Sequence, residues 1–140
     1  MPSSNRELLL ALILLWHDHL EASHVIARGT GTPDGSFVHA IMHRCEPDYG
    51  NSKYWWRRVG RPATFSPIAA RVTVLLEAKG ERELLGRLVK NGDWNPFAFV
   101  DACEEAGGRA VSESRTSLLR EVQRIEFETL LEHFCGAGSI

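Results

Sequence analysis

Apolar residues recur three and four positions apart along most of this chain, and no stretch alternates as a strand would. The pattern therefore predicts helices throughout. Ser4 followed by Glu7 fits a capping box, and it opens LLLALILLW (Leu8–Trp16), a helix apolar on almost every side that other helices must surround. Over His17–Arg28 the helical period puts His17, Glu21, His24 and Arg28 on one face, with Ala22 and Ile26 opposite. After the glycine-rich loop ending at Gly35, Asp34 or Ser36 starts a helix to about Glu46. There Phe37, Ile41 and Cys45 form an apolar stripe, Val38 and Met42 flank it, and Ser36, His39, His43 and Glu46 form the opposite stripe.

Pro47-Asp-Tyr-Gly50 breaks that helix, Asn51 is the expected cap of the next, and Gly60 ends it. Ser66-Pro67 reads as a cap and first helical proline for a helix to about Lys79, followed by Glu81–Val89. Asn91-Gly-Asp is a turn, Asn95-Pro96 starts a helix over Phe97–Ala106, and Gly107-Gly108 closes it. The last helix, Ser114–Phe134, repeats Leu118, Leu119, Val122, Ile125, Leu130, Leu131 and Phe134 at helical spacing. The expected fold is all-α: a single-domain array or bundle of six to eight helices, with N-terminal helical hairpins covered by a long C-terminal helix. The same helix serves equally well as a homodimer contact.

Composition narrows the class without choosing a function. A chain of 140 residues fits one domain, and 44% hydrophobic with 24% charged residues is ordinary for a globular protein. Cys45, Cys103 and Cys135 are odd in number and widely spaced, which favours a reducing compartment over a disulfide framework. Leu8–Trp16 lacks the flanks of a signal peptide and falls short of the roughly 20 apolar residues that span a bilayer. The expected location is cytoplasmic, with no membrane partner. The formal net charge of -2 gives no overall pull toward polyanions, but Arg44, Lys53, Arg57, Arg58 and Arg61 crowd a segment whose only acids are Glu46 and Asp48.

That segment holds the candidate chemistry. His39 and His43, four apart, share a helical face, and with His24 from the preceding helix they form a candidate set for a divalent metal that would activate water. Without metal, a histidine beside Glu46 or Asp48 gains an orienting partner and could act as a general base, making His39, His43 and Glu46 the catalytic candidates. Arg44, Asp48, Lys53, Trp56 and Arg57 are the ligand-binding candidates, with arginine suited to anions through its planar fork. Adjacent tryptophans diverge by about 100° on a helix. Trp55, on the side of Ser52 and Val59, is expected in the core, and Trp56, nearer Lys53 and Arg57, in a pocket wall. One small basic patch on an acidic chain argues against nucleic acid.

Two resemblances follow from these residues. HDHLEASHVIARG and EPDYGNSKYWWRRVG share an acidic residue, then Leu20 or Tyr49, a small Ser23 or Ser52, and an apolar helix ending in glycine. This looks like the layout of tetratricopeptide-type repeats, although the full consensus is absent. The string WHDHLEASH…DGSFVHAIMHRCEPDYGNSKYWWRRVGR, over Trp16–Arg61, is similar to a group of bacterial proteins, most without an assigned function. That similarity implies that the hairpin is the group's hallmark and brings no activity with it. Two readings result: a helical binding or interaction module for a small anionic ligand or a peptide, or a histidine-dependent hydrolase or lyase.

Overall fold

The computed structural model describes residues 33–108 and 112–136. The expected helix over Leu8–Trp16, the His17–Arg28 face and with it His24 lie outside these residues. Among those described, six helices and one minimal hairpin follow in order: α1 Pro33–Cys45, α2 Tyr49–Val59, α3 Phe65–Ala78, α4 Arg82–Leu88, β1 Val89–Lys90, β2 Asp93–Trp94, α5 Pro96–Gly108 and α6 Glu113–Gly136. The fold is all-α, with a long C-terminal helix. No described helix is long and apolar enough to cross a membrane. The chain divides into two compact units, one of residues 1–62 with 130–140 and one of residues 63–129, so that the unit boundary falls inside α6.

In the first unit, α1 and α2 form an antiparallel-type hairpin joined by the Glu46–Asp48 turn. Pro33 supplies a first helical residue that needs no N–H partner, Asp34 sits in the positive first turn, and His43 and Arg44 sit in the negative last turn. Asp34 also meets His133 of α6, Oδ2 to Nε2, at 3.2 Å. Every residue from Gly35 to Arg44 is buried, so α1 is enclosed on its polar stripe as well as on its apolar one. The turn closes when the Asp48 N–H donates to the His43 carbonyl at 2.8 Å, satisfying an acceptor the helix end leaves open. Ser52 is fully buried, and its hydroxyl donates to the Ala40 carbonyl at 2.6 Å. A larger residue there would hold the helices apart.

The cap of α2 differs from expectation. Asp48, not Asn51, is the N-cap: its Oδ1 accepts the Asn51 N–H at 3.5 Å, and its Oδ2 accepts from the Asn51 side-chain amide at 2.9 Å. The two residues are three apart, so the earlier one caps and the later one falls at the reciprocal position. Gly60 ends α2 with φ 73°, as expected.

In the second unit, α3 buries Phe65, Ile68, Ala69, Val72 and Leu76, a stripe at helical spacing. It starts after Thr64 rather than at Ser66-Pro67, and Pro67 is its third residue. Any of the first few helical N–H groups is dispensable, so proline marks the first turn without fixing the first position. Helix α4 ends one residue earlier than expected, because Val89 pairs with Trp94 and Lys90 with Asp93 in a two-stranded antiparallel hairpin. Asn91 (φ 54°) and Gly92 (φ 79°) both take left-handed conformations, the two-residue turn whose twist suits a hairpin. Strands of two residues are too short to show alternation, which is why the sequence pattern predicts none. Asn95 caps α5 as expected, its Oδ1 accepting the Ala98 N–H at 3.2 Å. In the core of this unit the Trp94 indole N–H donates to the fully buried Glu126 carboxylate at 3.2 Å.

Candidate functional site

The candidate residues of the Ser36–Arg61 stretch fall in three places: His39, His43 and Arg44 buried on α1, Glu46 and Asp48 exposed in the turn, and Lys53, Trp56 and Arg57 on α2, where only Arg57 is exposed. His39 (3% exposed), His43 and Arg44 are all buried, so the histidine stripe does not face water. Helix α2 covers part of it. The His39 imidazole stacks on the Trp55 indole with ring centroids 4.1 Å apart and planes 15° from parallel. His39 and His43 lie one turn apart with centroids at 6.0 Å and planes 22° apart.

His43 meets the expected acids. Its Nδ1 lies 3.6 Å from Glu46 Oε2 and 3.8 Å from Asp48 Oδ2. These are ion-pair distances and exceed the usual hydrogen-bond length. Glu46 and Asp48 are exposed, so a buried imidazole stands at the edge of the turn with two carboxylates on its solvent side. Asp48 is held below the ordinary carboxylate pKa, chiefly by the Asn51 side-chain amide; desolvation opposes this, and the Asn51 backbone N–H and His43 add smaller lowering effects. Among the described residues no three histidine, cysteine, aspartate or glutamate side chains come together as a metal site. Of the candidate metal set, His39 and His43 are neighbours, and His24 is not described.

The two tryptophans exchange their expected places. Trp56 is in the core at 1% exposure, its ring meeting the edge of Phe37 at 4.9 Å and 69°. Trp55 is only half-buried. Trp56 is therefore no wall of an open pocket, and Trp55 takes that side. The reason lies in the helical period: Ser52 and Val59 define the buried stripe, and both tryptophans fall about 50° from its centre, on opposite sides. Only the neighbouring helix breaks the tie, with Phe37 receiving Trp56 and His39 receiving Trp55.

The outer face of α2 is basic and aromatic. Tyr54 is 45% exposed, its ring set edge-on to Trp55 at 5.3 Å and 86°. The Arg58 guanidinium lies over both rings, 5.9 Å from the Tyr54 centroid and 5.4 Å from that of Trp55, where the ring quadrupoles attract it. Arg57, Arg58 and Arg61 are exposed, and Lys53 is half-buried. From Tyr49 to Pro62 there is no acidic residue. The ion pairs among described residues include neither Arg57 nor Arg58. Arg58, one of the cations the sequence singles out for an anion, lies three and four residues after Trp55 and Tyr54, the spacing that brings it over both rings.

The second unit has a cleft that no sequence pattern pointed to. It measures about 410 Å³, with Leu84 and Ala102 as apolar lining and Arg87, Glu105 and Arg115 among its polar residues. Its charges are matched internally: Arg87 pairs with Glu105 at 3.0 Å, and Arg115 with Glu81 at 3.5 Å. An incoming ion would have to displace these partners, whereas Arg57 and Arg58 on α2 are not so engaged. No family model, curated protein or solved structure matches the chain.

Proposed function

We propose that this protein is a helical binding module whose α1–α2 hairpin takes an anionic ligand or an acidic peptide on the outer face of α2. The observation that carries the reading is the Tyr54–Trp55–Arg58 assembly, in which two aromatic rings hold an exposed guanidinium beside Arg57 on a helix without an acidic residue. A guanidinium held over rings loses less side-chain freedom on binding than one in bulk water, and its fork still suits carboxylate or phosphate. His39 belongs to the support of this assembly, since it backs Trp55. Calorimetric titration with anionic probes tests the reading. Binding that weakens with salt and is lost in an Arg57→Ala/Arg58→Ala variant of unchanged melting temperature is expected. No binding of any anionic probe sinks it.

One observation favours a second reading, that of a histidine-dependent hydrolase or lyase. His43, buried and flanked by Glu46 and Asp48 at its solvent edge, has the surroundings of a general base. Hydrolysis of an activated ester at a rate that is lost in His43→Gln would support that reading; equal rates in the two proteins would remove it.

A further inference from the structure

The arrangement of the cations on α2 narrows the class of ligand, resting on the binding reading above. Lys53, Arg57 and Arg61 follow at intervals of four residues, and Tyr54 and Arg58 repeat that interval on the adjacent row. Four residues along an α-helix rise about 6 Å, although Arg61 lies just past the Gly60 cap and so off the helical row. A single small anion is narrower than this spacing and engages one or two of the cations. In an extended peptide every second side chain points the same way, at intervals of about 6.6 Å. Carboxylates at alternate positions of an extended segment therefore match cations one helical turn apart. The exposed Tyr54 ring, at the start of its row, offers apolar area for the peptide backbone or an intervening side chain.

The aromatic rings also separate a peptide from a nucleic acid. Single strands bind by laying bases on aromatic faces as well as by phosphate contacts. Here the Trp55 ring is already stacked on His39 and overlaid by Arg58, which leaves the exposed Tyr54 ring as a single platform. A run of bases needs successive platforms, and one exposed ring does not supply them. The surface keeps its charge recognition and has little left for bases.

We propose that the outer face of α2 docks an extended acidic peptide segment with Asp or Glu at alternate positions, recognised through Lys53, Arg57, Arg58 and Arg61 with Tyr54 as the apolar contact. The full chain is titrated by fluorescence anisotropy with a short labelled peptide of alternating Glu and Ser, and with a Lys/Ser peptide as a control for charge. Inorganic phosphate, an oligothymidylate and phosphatidylserine vesicles are run in competition. The acidic peptide is expected to bind and the basic one not. Its affinity is expected to fall about tenfold in Arg57→Gln/Arg58→Gln, where two charge-assisted contacts are lost, and to stay unchanged in Arg87→Ala, in the other unit. Equal affinity for inorganic phosphate would overturn the peptide inference and leave the anion-binding reading standing. Tighter binding of the oligonucleotide or the vesicles would overturn it in favour of those partners. Failure of every probe would overturn the inference and the binding reading together, and peptide binding unaffected in the double variant would show that this surface is not the docking site.

Discussion

Trp56 and Trp55 carry different loads, although they are neighbours of the same type. Trp56 fills space against Phe37 in the interior of the α1–α2 pair, so Trp56→Ala leaves a cavity and should cost about 3–5 kcal/mol in urea denaturation. Trp55→Ala loses a ring stack at a half-buried position and should cost clearly less, about 1–2 kcal/mol. The reverse order would show that the two faces of α2 have been assigned the wrong way round. Asp48 is a second residue whose role is local. Its pKa is depressed in the folded state, so the stability it contributes is complete above the ordinary carboxylate range and is lost as pH falls through the depressed value. Asp48→Asn retains a capping oxygen and should flatten that part of the acid limb, while Asp48→Ala should cost about 0.5–1 kcal/mol at neutral pH, the low end for a cap because the backbone contact is long. Melting curves between neutral and acid pH compare the three proteins.

At the scale of elements, the backbone at glycines separates positions that look alike in sequence. Gly86 lies within α4, with open space where a Cβ would sit and no left-handed φ, so Gly86→Ala should stabilise by about 0.5–1 kcal/mol. Gly92 also has open space, but its φ is +79°, and Gly92→Ala should destabilise by about 1–2 kcal/mol. Thermal denaturation of the two variants gives shifts of opposite sign if the hairpin turn is as described. Elements also differ in how legible they are in the sequence. Helix α6 carries a repeating apolar stripe from Leu118 to Phe134, and Asn95-Pro96 is an unambiguous start, so both are readable to within a residue or two. The hairpin of β1 and β2 was not, since its strands have two residues each and their pattern is that of a helix end. Only the Asn91-Gly92 turn pointed to it.

For the whole molecule, the distribution of charge matters more than its sum. The chain is acidic by -2, yet Tyr49–Pro62 holds four basic residues and no acidic one. Fields between exposed charges act over about a Debye length, roughly 8 Å at physiological salt, so the net charge of the whole chain does not decide the field at this surface. Binding should therefore weaken with added salt while the melting temperature changes little. The sequence made the basic segment visible and named Lys53 and Arg57 within it. It could not say that His39 would turn inward to back Trp55, because that depends on which side of α1 meets α2. Nor could it show the division into two compact units, since the boundary at Thr129 and Leu130 interrupts neither the helix nor its apolar repeat.

The most direct test uses the four tryptophans as reporters. Their indole N–H resonances are followed by heteronuclear NMR while the alternating Glu/Ser peptide is added to the full chain. The Trp55 indole and the amides around Arg57 and Arg58 are expected to shift progressively, while the Trp94 indole, held by Glu126 in the other unit, stays in place. Shifts confined to Trp94 and the residues of the Arg87–Arg115 cleft, with Trp55 unmoved, would contradict docking on α2.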